Sequence, residues 1–142
     1  GEKSVLYNGN VNLTPDAGLE ITRIKLNEIG KDRILFLNWT DEQGNAQRNH
    51  AAPLAYKHMQ LPKSNLKAAT SIDDASLSIT ISTEHMALYV SAECDVAGHF
   101  SDNAFDMLAG ESLTISFTPD KIHDLNRAAD TLCIRDLYSS SH

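Results

Sequence analysis

The seven residues Ser76-Leu77-Ser78-Ile79-Thr80-Ile81-Ser82 constrain this chain more than any other stretch. Every second residue is apolar and every other one carries a hydroxyl. Side chains alternate across a strand and wind around a helix, so this pattern builds a strand with one dry and one wet face. The period recurs. Leu88, Val90, Ala92 and Cys94 alternate with Tyr89, Ser91 and Glu93, and Leu113, Ile115 and Phe117 alternate with Thr114, Ser116 and Thr118. A last run, Thr131 to Leu137, sets Leu132 and Ile134 on one face.

Nearer the start, Leu19–Leu26 and Arg33–Thr40 read as further strands. Ile34-Leu35-Phe36-Leu37 is apolar on both faces, which predicts a central strand covered on two sides, with Trp39 in the core. Leu54–Leu61 and Leu66–Ile72 also read as strands, and Val5–Tyr7 and Val11–Leu13 as short edge strands. Asp120–Asp130 departs from the alternation. Ile122, Leu125 and Ala129 share a helical face there, predicting a helical turn within a long loop.

Turn residues separate these runs: Glu28 to Asp32 around Gly30, Asp41 to Asn45 around Gly44, Asp73 to Ala75, Thr83 to His85, and Ala109-Gly110-Glu111. Short strands punctuated in this way predict an all-β fold, an immunoglobulin-like β-sandwich of two antiparallel sheets with about seven to nine strands. The 142 residues fit a single such domain over positions 1–142. A leading Gly1 without an initiator Met reads as the remnant of a cleaved tag, and the chain as an excised piece of a larger protein.

Charge narrows the partners. A net charge of −7 with 12 scattered basic residues argues against nucleic acid, which requires clustered Lys and Arg. No run approaches the length of a membrane span. Cys94 and Cys133 are too few for a disulfide framework or a zinc site. Two free thiols in strands and one bridge between neighbouring strands both remain open.

The most distinctive stretch is Gly98-His99-Phe100-Ser101-Asp102-Asn103-Ala104-Phe105, followed by Gly110-Glu111. Asp102 and Asn103 are side chains that bond nearby backbone and hold turns, while Phe100 and Phe105 pack inward and pin the corner. Gly110 permits the turn into the next strand. Phe100, Ser101, Asp102, Asn103, Phe105 and Gly110 thus form a structural motif.

This stretch resembles the C-terminal immunoglobulin-like domain of glycoside hydrolase family 2 β-mannosidases. That family shows an A-x-Y/F-V strand, here Ala87-Leu88-Tyr89-Val90, then G-x-FSDN-x-F-x-L-x-P-G-E and a strand ending in Phe, here Phe117. Ile134-Arg135-Asp136-Leu137-Tyr138 is similar to its closing strand. Ala109 stands where the family has Pro. The resemblance implies a non-catalytic accessory domain of an enzyme that hydrolyses terminal β-mannosides, packed against the enzyme's other domains. Both catalytic carboxylates would then lie in a barrel absent from this chain. A bacterial parent of this type would be periplasmic or secreted.

No catalytic, cofactor-binding or metal-binding residue is assigned. Asn27-Glu28 copies the dipeptide of such acid/base sites without a barrel around it. His99, Ser101 and Asp102 lie within four consecutive residues, too close for a relay. Asp95, Asp102, Asn103 and Asp106 match no calcium loop spacing. The six histidines form no ligand pair with a nearby acid. Asn12-Leu13-Thr14 and Asn38-Trp39-Thr40 fit the glycosylation pattern. Two alternatives to the accessory role are a carbohydrate-binding module and a free-standing protein-interaction domain.

Overall fold

In a computed structural model of the chain, which describes residues 3–12, 14 and 18–141, two compact units form, Gly1–Gln60 and Leu61–His142. The sequence pattern anticipates one domain across the chain. The β-sandwich lies wholly in the second unit.

In the first unit a short helix α1 (Leu26–Ile29) ends at Gly30, whose φ of 82° is the left-handed conformation glycine tolerates. Strands β1 (Leu35–Thr40) and β2 (Ala46–Ala51) pair as an antiparallel hairpin, Leu35 opposite Ala51 and Thr40 opposite Ala46. Asp41 closes its loop. One carboxylate oxygen accepts the Asn45 backbone N–H and the other the Asn45 amide, each at 2.8 Å, and Gly44 takes a φ of 86°. The Asn45 amide, followed by its backbone N–H, holds the Asp41 carboxyl below its ordinary range.

Four expectations fail in this unit. Residues 19–25 carry no strand, and Leu19 and Ile21 are exposed. An apolar alternation there finds no neighbouring strand to complete a ladder. Leu54–Leu61 holds only a single 3-10 turn, Tyr56–His58, because Pro53 and Pro62 bracket it and cannot donate ladder bonds. Trp39 and Leu37 are 50% and 49% exposed, so β1 is not a covered central strand and Trp39 is not a core residue. Val5–Tyr7 forms no strand, and the edge strand expected at Val11–Leu13 ends on a residue outside those described.

The second unit stacks two sheets. The first has the order β3 (Lys67–Asp73), β4 (Ser76–Ser82), β8 (Ser112–Pro119), β6 (Gly98–Phe100). The other has the order β7 (Phe105–Met107), β5 (Ala87–Glu93), β9 (Cys133–Arg135). All pairings are antiparallel.

The dry faces meet in one core: Leu77, Ile79 and Ile81 from β4, Ile115 and Phe117 from β8, Ala87, Val90 and Ala92 from β5, and Met107 from β7. Each Leu, Ile or Phe so buried contributes about 1.5–3 kcal/mol. The wet face of β4 and β8 is a sheet of hydroxyls, with Thr80 and Thr114 bonded at 3.0 Å. The chain is therefore all-β, an Ig-like sandwich in which the alternation of β4, β5 and β8 decides which side is dry.

The helical segment expected at Asp120–Asp130 is a 3-10 turn, Ile122–Asp124, running into α2 (Leu125–Asp130). Leu125 and Ala128 are buried, whereas Ile122 is 58% exposed, because the tighter turn shifts it out of phase with the helix. After β9, helix α3 (Leu137–Ser141) starts on a reciprocal cap. Ser139 N–H donates to Asp136 Oδ1 at 2.8 Å, and Asp136 N–H donates to Ser139 Oγ at 2.9 Å.

Candidate functional site: the Phe-Ser-Asp-Asn corner

The corner runs from β6 to β7, which belong to different sheets, so it is a strap across the sandwich. Each of its residues has a traceable task. Phe100, at the end of β6, sits opposite Phe117 in register, and the two rings lie 4.7 Å apart at 44°. Tilted aromatic pairs of this kind add about 0.5–1.5 kcal/mol beyond burial. Phe105 opens β7 opposite Val90, and both Phe side chains pack against the buried core.

Ser101 extends the β6–β8 ladder by one step. Its N–H donates to the Ser116 carbonyl at 2.8 Å, and its Oγ accepts the Ser116 N–H at 2.9 Å. Asp102 Oδ1 accepts the Asn103 N–H at 2.8 Å, which turns the chain.

Asn103 replaces a strand. Its Oδ1 accepts the Ala92 N–H at 2.9 Å, and its Nδ2 donates to the Ala92 carbonyl at 3.0 Å. Those are the two bonds a neighbouring strand would make. β7 pairs with β5 only from Ala87 to Val90, so the primary amide carries the ladder one step beyond the strand's end. Ala92 is 3% exposed, and its backbone would otherwise be buried without partners. The same Oδ1 accepts the Ala104 N–H at 3.2 Å, steadying a residue held at φ 60° without being glycine.

Leu108-Ala109-Gly110-Glu111 forms the next turn. Glu111 N–H bonds the Leu108 carbonyl at 3.1 Å, and Gly110 alone of the four has a positive φ, 78°. That is a type II turn, whose second position favours Pro and whose third requires Gly. Ala109 occupies the second position. Glu111 reaches back with its carboxylate to accept the Leu108 N–H at 2.7 Å.

Other supports carry no sequence signal. Thr83, 5% exposed, shares its single hydroxyl proton between the Ser64 carbonyl at 2.9 Å and the His85 carbonyl at 2.5 Å. Two residues of β5, Leu88 and Tyr89, face the single residue Asp106 between the Ala87–Met107 and Val90–Phe105 pairs. At this bulge Tyr89 adopts φ 51°, and its N–H donates to Asp106 Oδ1 at 3.1 Å.

The remaining candidates stay apart. Ser101 and Asp102 are engaged with separate backbone groups, with His99 on β6. Asp106 serves Tyr89, and Asp95 donates its N–H to Thr131 Oγ1. Among the described residues no group of three or more His, Cys, Asp or Glu could hold a metal ion. Asn27 and Glu28 lie in α1.

Cys133 pairs with Glu93 in register, so Cys94, one position on, projects to the opposite face, where it packs on the core. Both thiols are free.

The family model of the Ig-fold domain of mannosidases, Ig_mannosidase, matches residues 61–140, from the first residue of the second unit to its last helix. No curated protein matched the chain.

Proposed function

Because the chain belongs to the Ig_mannosidase family of Ig-fold domains, we propose that it is the non-catalytic accessory domain of a family 2 β-mannosidase, an enzyme that hydrolyses terminal β-mannosides. One observation carries the reading: the family match spans the whole sandwich, including a corner whose every polar side chain is spent on backbone. Such a domain acts by shape and stability. Its partners are the other domains of the hydrolase, against which interdomain faces of about 600–1,500 Å² are usual. A retaining glycosidase needs two carboxyl groups about 5–5.5 Å apart beside a sugar subsite, and this reading assigns them to another part of the enzyme.

Two measurements test it. The chain alone is expected to release no nitrophenol from an aryl β-mannoside above the buffer blank; turnover by the purified chain would locate the chemistry inside it. Deleting the segment corresponding to residues 61–142 from the larger hydrolase is expected to lower that enzyme's melting temperature, and an unchanged melting curve would remove the stabilising role.

A second reading, carbohydrate binding by the first unit, is favoured by one specific feature. Trp39 is half exposed on β1, with the Gln47 amide opposite it in register. An open aromatic beside an amide is a sugar-stacking arrangement. Calorimetry with manno-oligosaccharides on the chain and on Trp39→Ala decides it, since equal or absent heats in both would dismiss the idea.

A further inference from the structure

The outermost strand of the four-stranded sheet, β3, pairs with β4 on one side only. Its seven residues, Lys67-Ala68-Ala69-Thr70-Ser71-Ile72-Asp73, are all exposed, and their register with β4 runs without a shift. Natural edges are usually blunted by brevity, charged side chains, proline or bulges. β3 is seven residues long, without proline or bulge. Its two charges stand at its ends and are opposite in sign.

The ladder parity shows which backbone groups are open. Thr83 donates to the Glu111 carbonyl at the head of the β4–β8 pair (3.1 Å), so odd-numbered residues of β4 bond β8 and even-numbered ones bond β3. The β3 residues opposite even β4 positions are Lys67, Ala69, Ser71 and Asp73. The N–H and C=O groups of Ala68, Thr70 and Ile72 therefore point to the free edge.

We propose that this edge binds a second copy of the chain, with the two β3 strands antiparallel about Thr70 and the four-stranded sheets continuous across the contact. The sequence is self-complementary in that register. Thr70 faces its own counterpart, Ala68 faces Ile72, and Lys67 faces Asp73 of the second copy at both ends. The open backbone groups of Ala68, Thr70 and Ile72 meet their own kind. Ile72, 46% exposed, is covered by Ala68 of the other copy. Lys67 already holds Glu84 at 2.8 Å, and an ammonium with three donors can keep that bond and take a second carboxylate. An unrelated peptide would satisfy the backbone alone. A second copy satisfies the backbone and both charges, and two-fold symmetry repeats every gain.

The test is the mass of the full chain by sedimentation velocity across micromolar to high micromolar concentration. Physiological salt is used, which screens the repulsion of two copies each carrying −7. The expected result is a concentration-dependent rise from 15.6 kDa to twice that mass. Asp73→Lys puts like charges opposite each other at both ends and should weaken the dimer roughly tenfold while circular dichroism stays unchanged. Thr70→Pro removes an edge N–H that β4 does not use and should abolish the dimer. A monomer at every concentration overturns the proposal. So does a dimer that Asp73→Lys leaves equally tight, because association would then use another surface.

Discussion

Replacing Asn103 with Ala examines the corner where it is most specific. The substitution removes both bonds to Ala92, at 2.9 and 3.0 Å, together with the 3.2 Å bond that steadies Ala104. A buried main-chain group left without a partner costs about 1–3 kcal/mol. Two such groups are stranded at Ala92, itself 3% exposed. Asn103 is on the exposed side, so water reaches part of the vacated space, and the lower half of the range applies. The expected loss is about 2–4 kcal/mol, which in a domain of this size lowers the melting temperature by about 10–30 °C. Urea denaturation followed by far-UV circular dichroism reads it as a lower midpoint at unchanged slope. Asn103→Asp keeps the acceptor but sets a carboxylate oxygen against the Ala92 carbonyl, so at neutral pH it should fall at least as far. A loss under about 0.5 kcal/mol for Asn103→Ala, the size of an ordinary surface change, would refute the claim that this amide substitutes for a strand.

Three further outcomes follow from the same structure. Ala109→Pro should stabilise by about 0.4–1 kcal/mol, because the second position of a type II turn already has the φ that Pro imposes; a lowered melting temperature would contradict the turn assignment. Gly98→Ala should destabilise by about 2–3 kcal/mol, measured by the same urea titration, since at φ 157° a Cβ would strike the Thr118 carbonyl and the Pro119 backbone across β6–β8. The Lys67 ammonium, then the Asn65 amide, hold the Glu84 carboxyl below the ordinary carboxylate range, and Glu84 in turn holds the Lys67 ammonium above its ordinary value. A depressed carboxyl stabilises above its unfolded pKa and loses that contribution as pH falls through the folded value. A raised ammonium stabilises below its unfolded pKa and loses that contribution as pH rises through the folded value. The melting-temperature difference between the chain and Glu84→Gln should therefore be flat from about pH 5 to 10 and shrink outside that window.

Much of this protein could be read without coordinates, and the reason is locality. Alternation in β4, β5 and β8 depends on a two-residue period that each strand carries in itself, so the dry faces of Leu77, Ile79, Ile81, Ile115 and Phe117 follow from spacing alone. The turns at Gly44 and Gly110 follow from the conformational freedom of a single residue. Pairing is different, because a strand exists only where another chain segment accepts its bonds. Leu19–Leu26 has the pattern without the neighbour, and Trp39 has apolar company in sequence but open solvent in space. The roles of Asn103 and Thr83, and the opposite faces taken by Cys94 and Cys133, likewise arise from backbone groups and registers many residues away, which only the assembled sheets bring within reach.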